Sequence, residues 1–394
     1  MGNKVNLSRR RFISSTGTLV AGSFISVPFL SMKTSCSVNS GELAIDHVAA
    51  AHKRGRFRGW PANNGLWSWD NGRELLVGFK GGEYKLQEGL HNIIRLRPEP
   101  RKLSRSTDGG RTWAVEYPQR DNYVDNEQGP FPSPGNINFA HPGFAMRVHY
   151  DRFFISYDRG KTWEGSYSWN GLTDAKELRG MTNASRTDYL VTGPDSALII
   201  MAARNPELEH PMLEKSFVVE TTDGGSSFNF VSWVVPWTNR YRAVMPSTVR
   251  TRDGRLVCAV RCRDPRDEWR PNWIDSYISE DNGRSWSFLS WVGDTGVHNG
   301  NPPGLALLSD GRLACTYANR SLQQMLIRFS SDNGASWGEP VVVRNADDRD
   351  LGYPQMVENH EGKLVALYYI QRKEMPDSAY IEAAIITPPG EAGS

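Results

Sequence analysis

The chain repeats a short pattern in which a polar turn precedes alternating apolar residues. The pattern reads RDGRLVCAV from Arg252, SDGRLACTY from Ser309 and HEGKLVALY from His360, with a looser copy, DNGRELLVGF, from Asp70. A tight turn followed by side chains that alternate between two faces is typical of a β-hairpin. The 3.6-residue period of an amphipathic helix is not evident anywhere in the sequence. The pattern therefore predicts an all-β fold.

A second repeat interleaves with the first and combines Asp, Gly, a hydroxyl residue and an aromatic residue. It reads SRSTDGGRTW, SYDRGKTW, TTDGGSSF, SEDNGRSW and SSDNGASW, with its aspartates at Asp108, Asp158, Asp223, Asp281 and Asp332. The carboxylate can accept backbone N–H groups inside the turn, the Gly supplies a positive φ, and the aromatic ring packs between neighbouring sheets. A catalytic group would not be needed five times, so we expect these aspartates to be structural.

Composition narrows the possible functions. The 394 residues include 39% hydrophobic residues, and the mean hydropathy is −0.52, which predicts a soluble protein with a sizeable core. The net charge of +2 gives no general basic field, so we do not expect a nucleic acid partner. We expect buried free thiols at Cys258, Cys262 and Cys315, and no metal, disulfide framework or cofactor, because no suitable spacing is present.

The N-terminus has the layout of an export signal. SRRRFISS, from Ser8 to Ser15, places paired arginines before the apolar stretch LVAGSFISVPFL. This arrangement predicts a signal of the twin-arginine type, and hence a periplasmic or extracellular protein, with an uncleaved anchor helix as the alternative. Cys36 follows the apolar run and is a candidate for lipid attachment to a membrane, although Lys33 fits such a signal poorly.

The motif S-x-D-x-G-x-[ST]-W is the Asp-box, or bacterial neuraminidase repeat, and its five copies resemble the sialidase superfamily. The resemblance implies a six-bladed β-propeller over 54–388, after a signal at 1–36 and a linker at 37–53 and before a tail at 389–394. Stacking blades in a ring buries the faces that each blade alone would expose. We predict that the inner strands begin near Trp60, His141, Arg186, Met245, Pro302 and Tyr353. The substrate site of such propellers lies at the end of the axis opposite the Asp-boxes.

The resemblance also implies roles for individual residues. Tyr353, in DLGYPQMVENHEGKLVALYY, occupies the position of the nucleophilic tyrosine of sialidases. Arg261 aligns with the second arginine of their carboxylate clamp, and Arg58, in RFRGWPANNG, with the first, for which Arg56 is the alternative. Arg320 is the nearest candidate for the third. A guanidinium can hold a carboxylate by a planar two-point contact. Structural alternatives remain: Tyr353 can pack the tunnel, and Arg261 can pair with Asp264.

Two positions depart from the sialidase pattern. Met245 stands where sialidases carry the glutamate that takes the proton of the tyrosine. The loop KGGEYKLQEGLHNIIRLRPEPRKLSRS lacks the acid/base aspartate, so His91, Glu88 and Glu83 are the titratable replacements. Further substrate-binding candidates at the predicted mouths are His141 in FAHPGFAMR, and His298, Asn299 and Asn301 in VHNGNPPGLALLSDGRL. Arg186, Arg204 and Arg242 are candidates for additional positive lining.

These residues favour an exported, monomeric exo-glycosidase that acts on an acidic sugar such as sialic acid. Tyr353 would attack the sugar, and Arg58 and Arg261 would hold its carboxylate. A polysaccharide lyase on uronic acid glycans, using Tyr353 with His91 or His298, is the second hypothesis. The third is a non-catalytic glycan-binding propeller in which aromatic residues stack on sugar rings. The candidate aromatic residues are Trp60, Trp67 and Phe144.

Overall fold

The computed structural model describes most of the chain outside the N-terminus. The described residues are 43–89, 91–94, 102–117, 129–207, 213–267, 269–297 and 299–390. They form antiparallel strands and single 3-10 turns at Pro61–Asn63, Leu172–Asp174 and Lys176–Leu178, which confirms the all-β prediction. Helices long and apolar enough to cross a membrane are absent from this part of the chain. The predicted signal at 1–36, with Cys36, lies outside the described residues.

The first two sheets come from the N-terminal half of the chain. The strands before and within them are β1 (Ile45–Ala51), β2 (Arg56–Gly59), β3 (Leu66–Trp69), β4 (Glu74–Tyr84), β5 (Ile93–Ile94), β6 (Lys102–Ser106), β7 (Ala114–Glu116), β8 (Ala145–His149), β9 (Arg152–Ser156) and β10 (Glu164–Ser168). One sheet has the order β2-β4-β6-β7, with β3 and β5 also paired to β4, and the next has the order β10-β9-β8.

The middle of the chain forms one long sheet made of two antiparallel groups. Its strands are β11 (Thr182–Asn183), β12 (Tyr189–Val191), β13 (Ala197–Arg204), β14 (Glu214–Thr221), β15 (Asn229–Trp233), β16 (Arg242–Arg250), β17 (Leu256–Arg263), β18 (Asn272–Ser279) and β19 (Ser287–Gly296). A single parallel bridge, Lys215 to Ala243, joins β14 of the first group to β16 of the second. The two groups therefore share one backbone bridge, and side-chain contacts such as the hydrogen bond from Thr248 to Asp188 join them elsewhere.

The last two sheets bring the ends of the described chain together. Their strands are β20 (Gly304–Leu307), β21 (Leu313–Asn319), β22 (Gln324–Ser330), β23 (Val341–Asn345), β24 (Gly352–Glu358), β25 (Leu364–Ile370) and β26 (Tyr380–Ile386). Strand β1 pairs antiparallel with β26, so the order of the final sheet is β1-β26-β25-β24. Glu382 supports this closure, because its carboxylate contacts His47 of β1 at 3.2 Å and accepts the Tyr368 hydroxyl at 2.9 Å.

The Asp-boxes form the turns that the sequence predicts. In the second copy, the Asp158 carboxylate accepts the Ser156 hydroxyl at 2.8 Å, the Thr162 N–H at 2.9 Å and the Thr162 hydroxyl at 2.6 Å. Burial would raise the pKa of Asp158, but these donors outweigh burial and lower the pKa. Gly160 has φ +78, and the indole of Trp163 is 1% exposed against the preceding sheet, 5.1 Å from the Trp67 ring. The turn therefore anchors one sheet to the next.

The three described cysteines also follow the sequence prediction. Cys258 and Cys262 on β17 and Cys315 on β21 are buried free thiols. Clusters of three or more metal-ligating side chains are likewise absent from the described part of the chain.

Candidate active site

A cavity of about 100 Å³ lies where strand ends from several sheets converge. It is lined by Asn63, Tyr150, Ala184, Arg186, Arg204, Glu214, Arg242, Val244, Met245, Arg261 and Tyr353. Four of these residues are arginines and one is a carboxylate, so the lining carries a positive excess. A larger cavity, of about 300 Å³, is lined by residues of β3 and β12 together with Phe144, Thr187, Asp188 and Gln355. Its one ionisable acid, Asp188, is bonded to Thr248, so the smaller cavity is the better candidate for chemistry.

Three bulky residues around this cavity adopt the left-handed backbone conformation and precede a proline. Trp60, Met245 and Tyr353 have φ values of 60°, 58° and 53°. The strand register shifts at Met245, between Val244 and Ser247 of β16, and at Tyr353, between Gly352 and Gln355 of β24. Such bulges re-aim a side chain at the end of a strand, and left-handed conformations of bulky residues cluster at functional sites. The recurring X-Pro dipeptide is a sequence signal that our sequence analysis did not use.

Tyr353 and Arg261, which the resemblance assigns to one site, both line the cavity and contact each other. The Arg261 Nη1 group donates to the Tyr353 hydroxyl at 3.3 Å and contacts the Met245 sulfur at 3.7 Å. Its Nη2 group donates to the amide oxygen of Asn299. Asp264, the alternative partner considered for Arg261, instead pairs with an arginine of its own loop. Arg261 is therefore held by neutral acceptors and keeps its positive charge available.

The charges around Tyr353 outweigh the effect of its burial and lower its pKa. Burial alone would raise the pKa of Tyr353, but the charges of Arg261, Arg320 and Arg242 together lower it below its ordinary value. Burial lowers the pKa of Arg261 to about 10, with repulsion from Arg242 and Arg320 adding to the effect. Both side chains are largely excluded from water, at 8% and 2% exposure. Charges interact strongly in such surroundings, so an anionic oxygen is stabilised here.

Arg320 and Asn301 support the backbone beneath Tyr353. Asn301 is fully buried, accepts the Tyr353 N–H at 2.7 Å and donates to the Leu351 carbonyl at 3.2 Å. Arg320 donates to the same carbonyl and, at 2.7 Å, to the Tyr369 hydroxyl, while its guanidinium lies 5.7 Å from the Tyr353 ring. Asn301 thus makes backbone contacts, and Arg320 contributes charge from behind the tyrosine.

A buried ion-pair group that sequence analysis missed forms one wall. Glu214, at the start of β14, is 2% exposed and contacts Arg204 and Arg242, each at 2.5 Å. Burial would raise the pKa of Glu214, but the charge of Arg242 and the hydrogen bond from Arg204 lower it. Glu214 is therefore an anion that orients two arginines. The chain shows no local motif around Glu214, and the contact joins two strand groups.

At the rim, Arg186 and Tyr150 form a flat surface. The Arg186 guanidinium stacks 4.5 Å from the centroid of the Tyr150 ring, and it donates to the Asn63 amide oxygen at 3.0 Å. Tyr150 lies in the turn between β8 and β9 and is 41% exposed. An exposed aromatic ring beside a cation can stack against a sugar ring.

His91 does not line the cavity. Its Nδ1 atom is 2.9 Å from an Asp350 carboxylate oxygen, and its ring packs edge-on against Trp60 with centroids 5.0 Å apart. Glu88, the alternative acid in the same loop, is exposed, and its carbonyl accepts a hydrogen bond from Arg349. Of the two candidates, His91 is the one whose side chain is held by described contacts, to Asp350 and Trp60.

Two other candidates, Arg58 and His141, do not line the cavity, and a third is not described. Arg58 is buried with its guanidinium 5.6 Å from the Phe79 ring, on a strand face opposite Phe57. His141 is exposed, its Nδ1 accepts the Gly143 N–H at 3.1 Å, and its ring packs against Tyr157, next to an Asp-box. It precedes β8, whereas the other end of β8 leads to the cavity. His298 lies outside the described residues.

Solved structures with the same fold include several glycosidases. A protein of unknown function from Dyadobacter fermentans is 16% identical, with a TM-score of 0.63 over 88% of this chain and 99% of that one. The α-L-arabinofuranosidase Arb93A from Fusarium graminearum, bound to an iminosugar inhibitor, is 13% identical, with a TM-score of 0.55 over 87% and 99%. The intramolecular trans-sialidase from Ruminococcus gnavus, bound to oseltamivir carboxylate, is 13% identical, with a TM-score of 0.50 over 86% and 94%.

At these identities the likeness concerns the all-β, propeller-like fold and not the reaction. A search of curated proteins found no match to the chain. The family described as a BNR repeat-like domain matches residues 143–366, which is more than half of the chain and includes four of the five Asp-boxes. The chain therefore belongs to the BNR repeat-like family, in agreement with its resemblance to the sialidase superfamily.

Proposed function

We propose that the chain is a glycosidase that cleaves an acidic sugar from a glycan, using Tyr353 as nucleophile. The observation that carries this proposal is the Arg261–Tyr353 hydrogen bond of 3.3 Å inside a cavity lined by four arginines. Solved structures of similar fold are an arabinofuranosidase and a trans-sialidase, which supports a glycosidase-type activity. The acidic nature of the sugar rests on the positive lining alone.

We infer further that the strand groups are six blades of one closed propeller. In chain order these groups are β2–β7, β8–β10, β11–β15, β16–β19, β20–β23, and β24–β26 completed by β1. Each group is antiparallel, and four-stranded groups with apolar faces are stable when they stack in a ring. The convergence of Tyr150, Arg186, Met245 and Tyr353, each from a different group, on one cavity supports this arrangement.

In the proposed reaction, the arginines bind the substrate carboxylate and Tyr353 attacks the anomeric carbon. Burial raises the pKa of Tyr353, but the charges of Arg261, Arg320 and Arg242 outweigh burial and lower it, which makes the phenol easier to deprotonate without a neighbouring glutamate. Met245 occupies the place of that glutamate and contacts Arg261 through its sulfur. The departing oxygen needs a proton, and we assign its donation to His91, which contacts Asp350, three residues before Tyr353.

One observation favours a second candidate, a lyase that acts on uronic acid glycans. The only carboxylate among the described cavity residues, Glu214, is engaged by two arginines, so the cavity lacks a pair of free carboxyl groups. A lyase needs a base for the proton beside the uronate carboxylate and a cation to neutralise that carboxylate. Tyr353 with its lowered pKa and Arg261 can supply both.

The test is turnover by the purified protein of sialosides, uronate-containing glycans and aryl glycosides of acidic sugars. A hydrolase releases a saturated sugar, whereas a lyase gives an unsaturated product that absorbs in the near ultraviolet. Tyr353→Phe should lower kcat by more than about 100-fold in either case. Tyr117→Phe, the same change at a tyrosine that is 63% exposed outside the cavity, is the control. Binding without turnover in the wild-type protein would instead favour a glycan-binding propeller.

We also propose that the protein is exported through its N-terminal twin-arginine pair. Replacing both Arg9 and Arg10 by Lys should retain the protein in the cytoplasm, as measured by fractionation. Cys36→Ser tests lipid attachment separately from export. It should release a lipid-anchored protein from the membrane without blocking export.

A further inference from the structure

A four-residue segment carries both Tyr353 and a buried carboxylate, Asp350. The segment is held at successive peptide groups. The Asp350 carbonyl accepts the Gln371 side-chain amide at 3.2 Å, the Leu351 carbonyl accepts Asn301 at 3.2 Å, and the Tyr353 N–H donates to Asn301 at 2.7 Å. The position of Asp350 relative to the phenol is therefore fixed by the backbone. The proposed glycosidase reaction assigns no role to this carboxylate.

Donors surround the Asp350 carboxylate, whose side chain is 2% exposed. One oxygen accepts the Tyr369 hydroxyl at 2.5 Å, and the other accepts the Asn92 N–H at 2.8 Å. The Arg320 guanidinium lies 3.8 Å away. Each of these groups donates, which is what an ionised carboxylate requires, since it can only accept hydrogen bonds. The His91 Nδ1 atom, at 2.9 Å, must then also donate.

This contact sets the tautomer and the orientation of the imidazole. With Nδ1–H on the buried carboxylate, Nε2 is the nitrogen on the opposite side of the ring. The His91 side chain is 14% exposed, and Trp60 packs against its ring with centroids 5.0 Å apart, which restricts its rotation. A carboxylate that fixes one ring nitrogen in this way leaves the other free to exchange a proton.

We propose that Asp350 is a positioning residue that holds His91 with Nδ1–H on the carboxylate and Nε2 free for proton exchange with substrate. The proposal rests on the proposed glycosidase function. In the first step, Nε2–H of the imidazolium gives its proton to the departing oxygen as the glycosidic C–O bond breaks and the Tyr353 oxygen bonds to the anomeric carbon. In the second step, water attacks the anomeric carbon and displaces the Tyr353 oxygen. The proton that the water loses passes to Nε2.

The kinetic test compares Asp350→Asn with His91→Gln and with the double variant. Asp350→Asn should lower kcat by about 100-fold or more on a glycan with an unactivated leaving group, and much less on a nitrophenyl glycoside, which needs no proton. KM should stay near the wild-type value. The double variant should lose no more than His91→Gln alone, because both changes remove one proton transfer. Asp348→Asn, which alters a neighbouring acid that accepts the Asp350 N–H at 2.7 Å, is the matched control.

Additive losses, or equal losses on both substrates, would overturn the role of Asp350. A second measurement does not depend on activity or on the folding of Asp350→Asn. Nitrogen-15 NMR of the wild-type protein, with His91→Gln for assignment, should show the Nδ1–H tautomer at His91 in the neutral state. The Nε2–H tautomer would overturn the proposal even if the enzyme is active. Absence of turnover on every acidic glycan, with the Nδ1–H tautomer present, would count against the proposed function and not against the Asp350–His91 pair.

Discussion

Arg261 donates a hydrogen bond to the phenol oxygen of Tyr353, a residue 92 positions later in the chain. Arg261 lies on β17 and Tyr353 at the start of β24, so two separate sheets supply the pair. A buried guanidinium beside a buried phenol lowers the free energy of the phenolate relative to the phenol. This relationship, more than any single residue, gives the cavity its proposed reactivity.

Replacing Arg261 by Met should raise the pKa of Tyr353. Burial still disfavours the phenolate in the variant, while the largest of the three opposing charges is gone. Alkaline difference absorption in the ultraviolet, with Tyr353→Phe to assign the signal, measures the change. Arg186→Met is the control, because Arg186 lines the cavity but is not among the charges that lower this pKa. An unchanged Tyr353 titration in Arg261→Met would remove the electrostatic basis of the mechanism.

Gly352→Ala should destabilise the protein and distort the site. Gly352 has φ +107°, and a Cβ atom there would lie 2.0 Å from the Asn301 amide oxygen, which holds the Tyr353 N–H. We expect a loss of about 3 kcal/mol or more in the free energy of unfolding, from backbone strain plus the clash. Gly254→Ala is the control: φ is +89°, but the space is open, so only about 1 to 2 kcal/mol of strain applies. Equal losses in denaturant titrations would contradict the clash.

Lys215 should make folding stability depend on pH in the alkaline range. It is fully buried, its ammonium donates to the Tyr241 carbonyl at 2.7 Å, and burial lowers its pKa from 10.5 to about 8. Between these values the unfolded chain binds a proton that the folded chain does not, so the free energy of unfolding rises with pH. Relative to Lys215→Met, the wild-type protein should gain about 3 kcal/mol from pH 8 to 10.5. A constant difference between the two proteins would show that Lys215 does not titrate in this range.

Asp158→Ala should weaken the fold without altering the site. The substitution removes the acceptor for the Ser156 hydroxyl and for both donors of Thr162. The expected loss is about 1 to 3 kcal/mol in the free energy of unfolding. Because the folded pKa of Asp158 is lowered, this contribution is present above the unfolded value of 3.8 and is lost as the pH falls through the folded value. Asp151→Ala, whose 60% exposed side chain pairs only locally with Arg152, should change little.

The sequence predicted those parts of the molecule that local patterns encode. The Asp-box turns depend on residues within eight positions of one another, and Tyr353 and Arg261 stand at fixed distances from repeated hairpin turns. The same reasoning expected His141, which precedes β8, at the cavity. In the structure the cavity lies at the opposite end of β8. The turn residue Tyr150 occupies the place that His141 was expected to fill.

The missed residues share a different property. Glu214 and Asp350 acquire their roles from partners on other strand groups, Arg242 in one case and His91 in the other. Their own neighbours in the sequence form no recognisable motif. Contacts of this kind depend on how the groups pack, which hydrophobic periodicity does not specify. The polar cluster beneath Tyr353 therefore required the structure.

The pairing of β1 with β26 has a consequence for biosynthesis. Ile45 lies opposite Ile386, so the first described strand stays unpaired until the last described strand has been synthesised. Until then the nascent polypeptide exposes an unpaired edge at each extremity, and both edges favour aggregation. The final sheet can therefore close only after β26 has been synthesised. Deleting either β1 or β26 should leave the other strand without this partner.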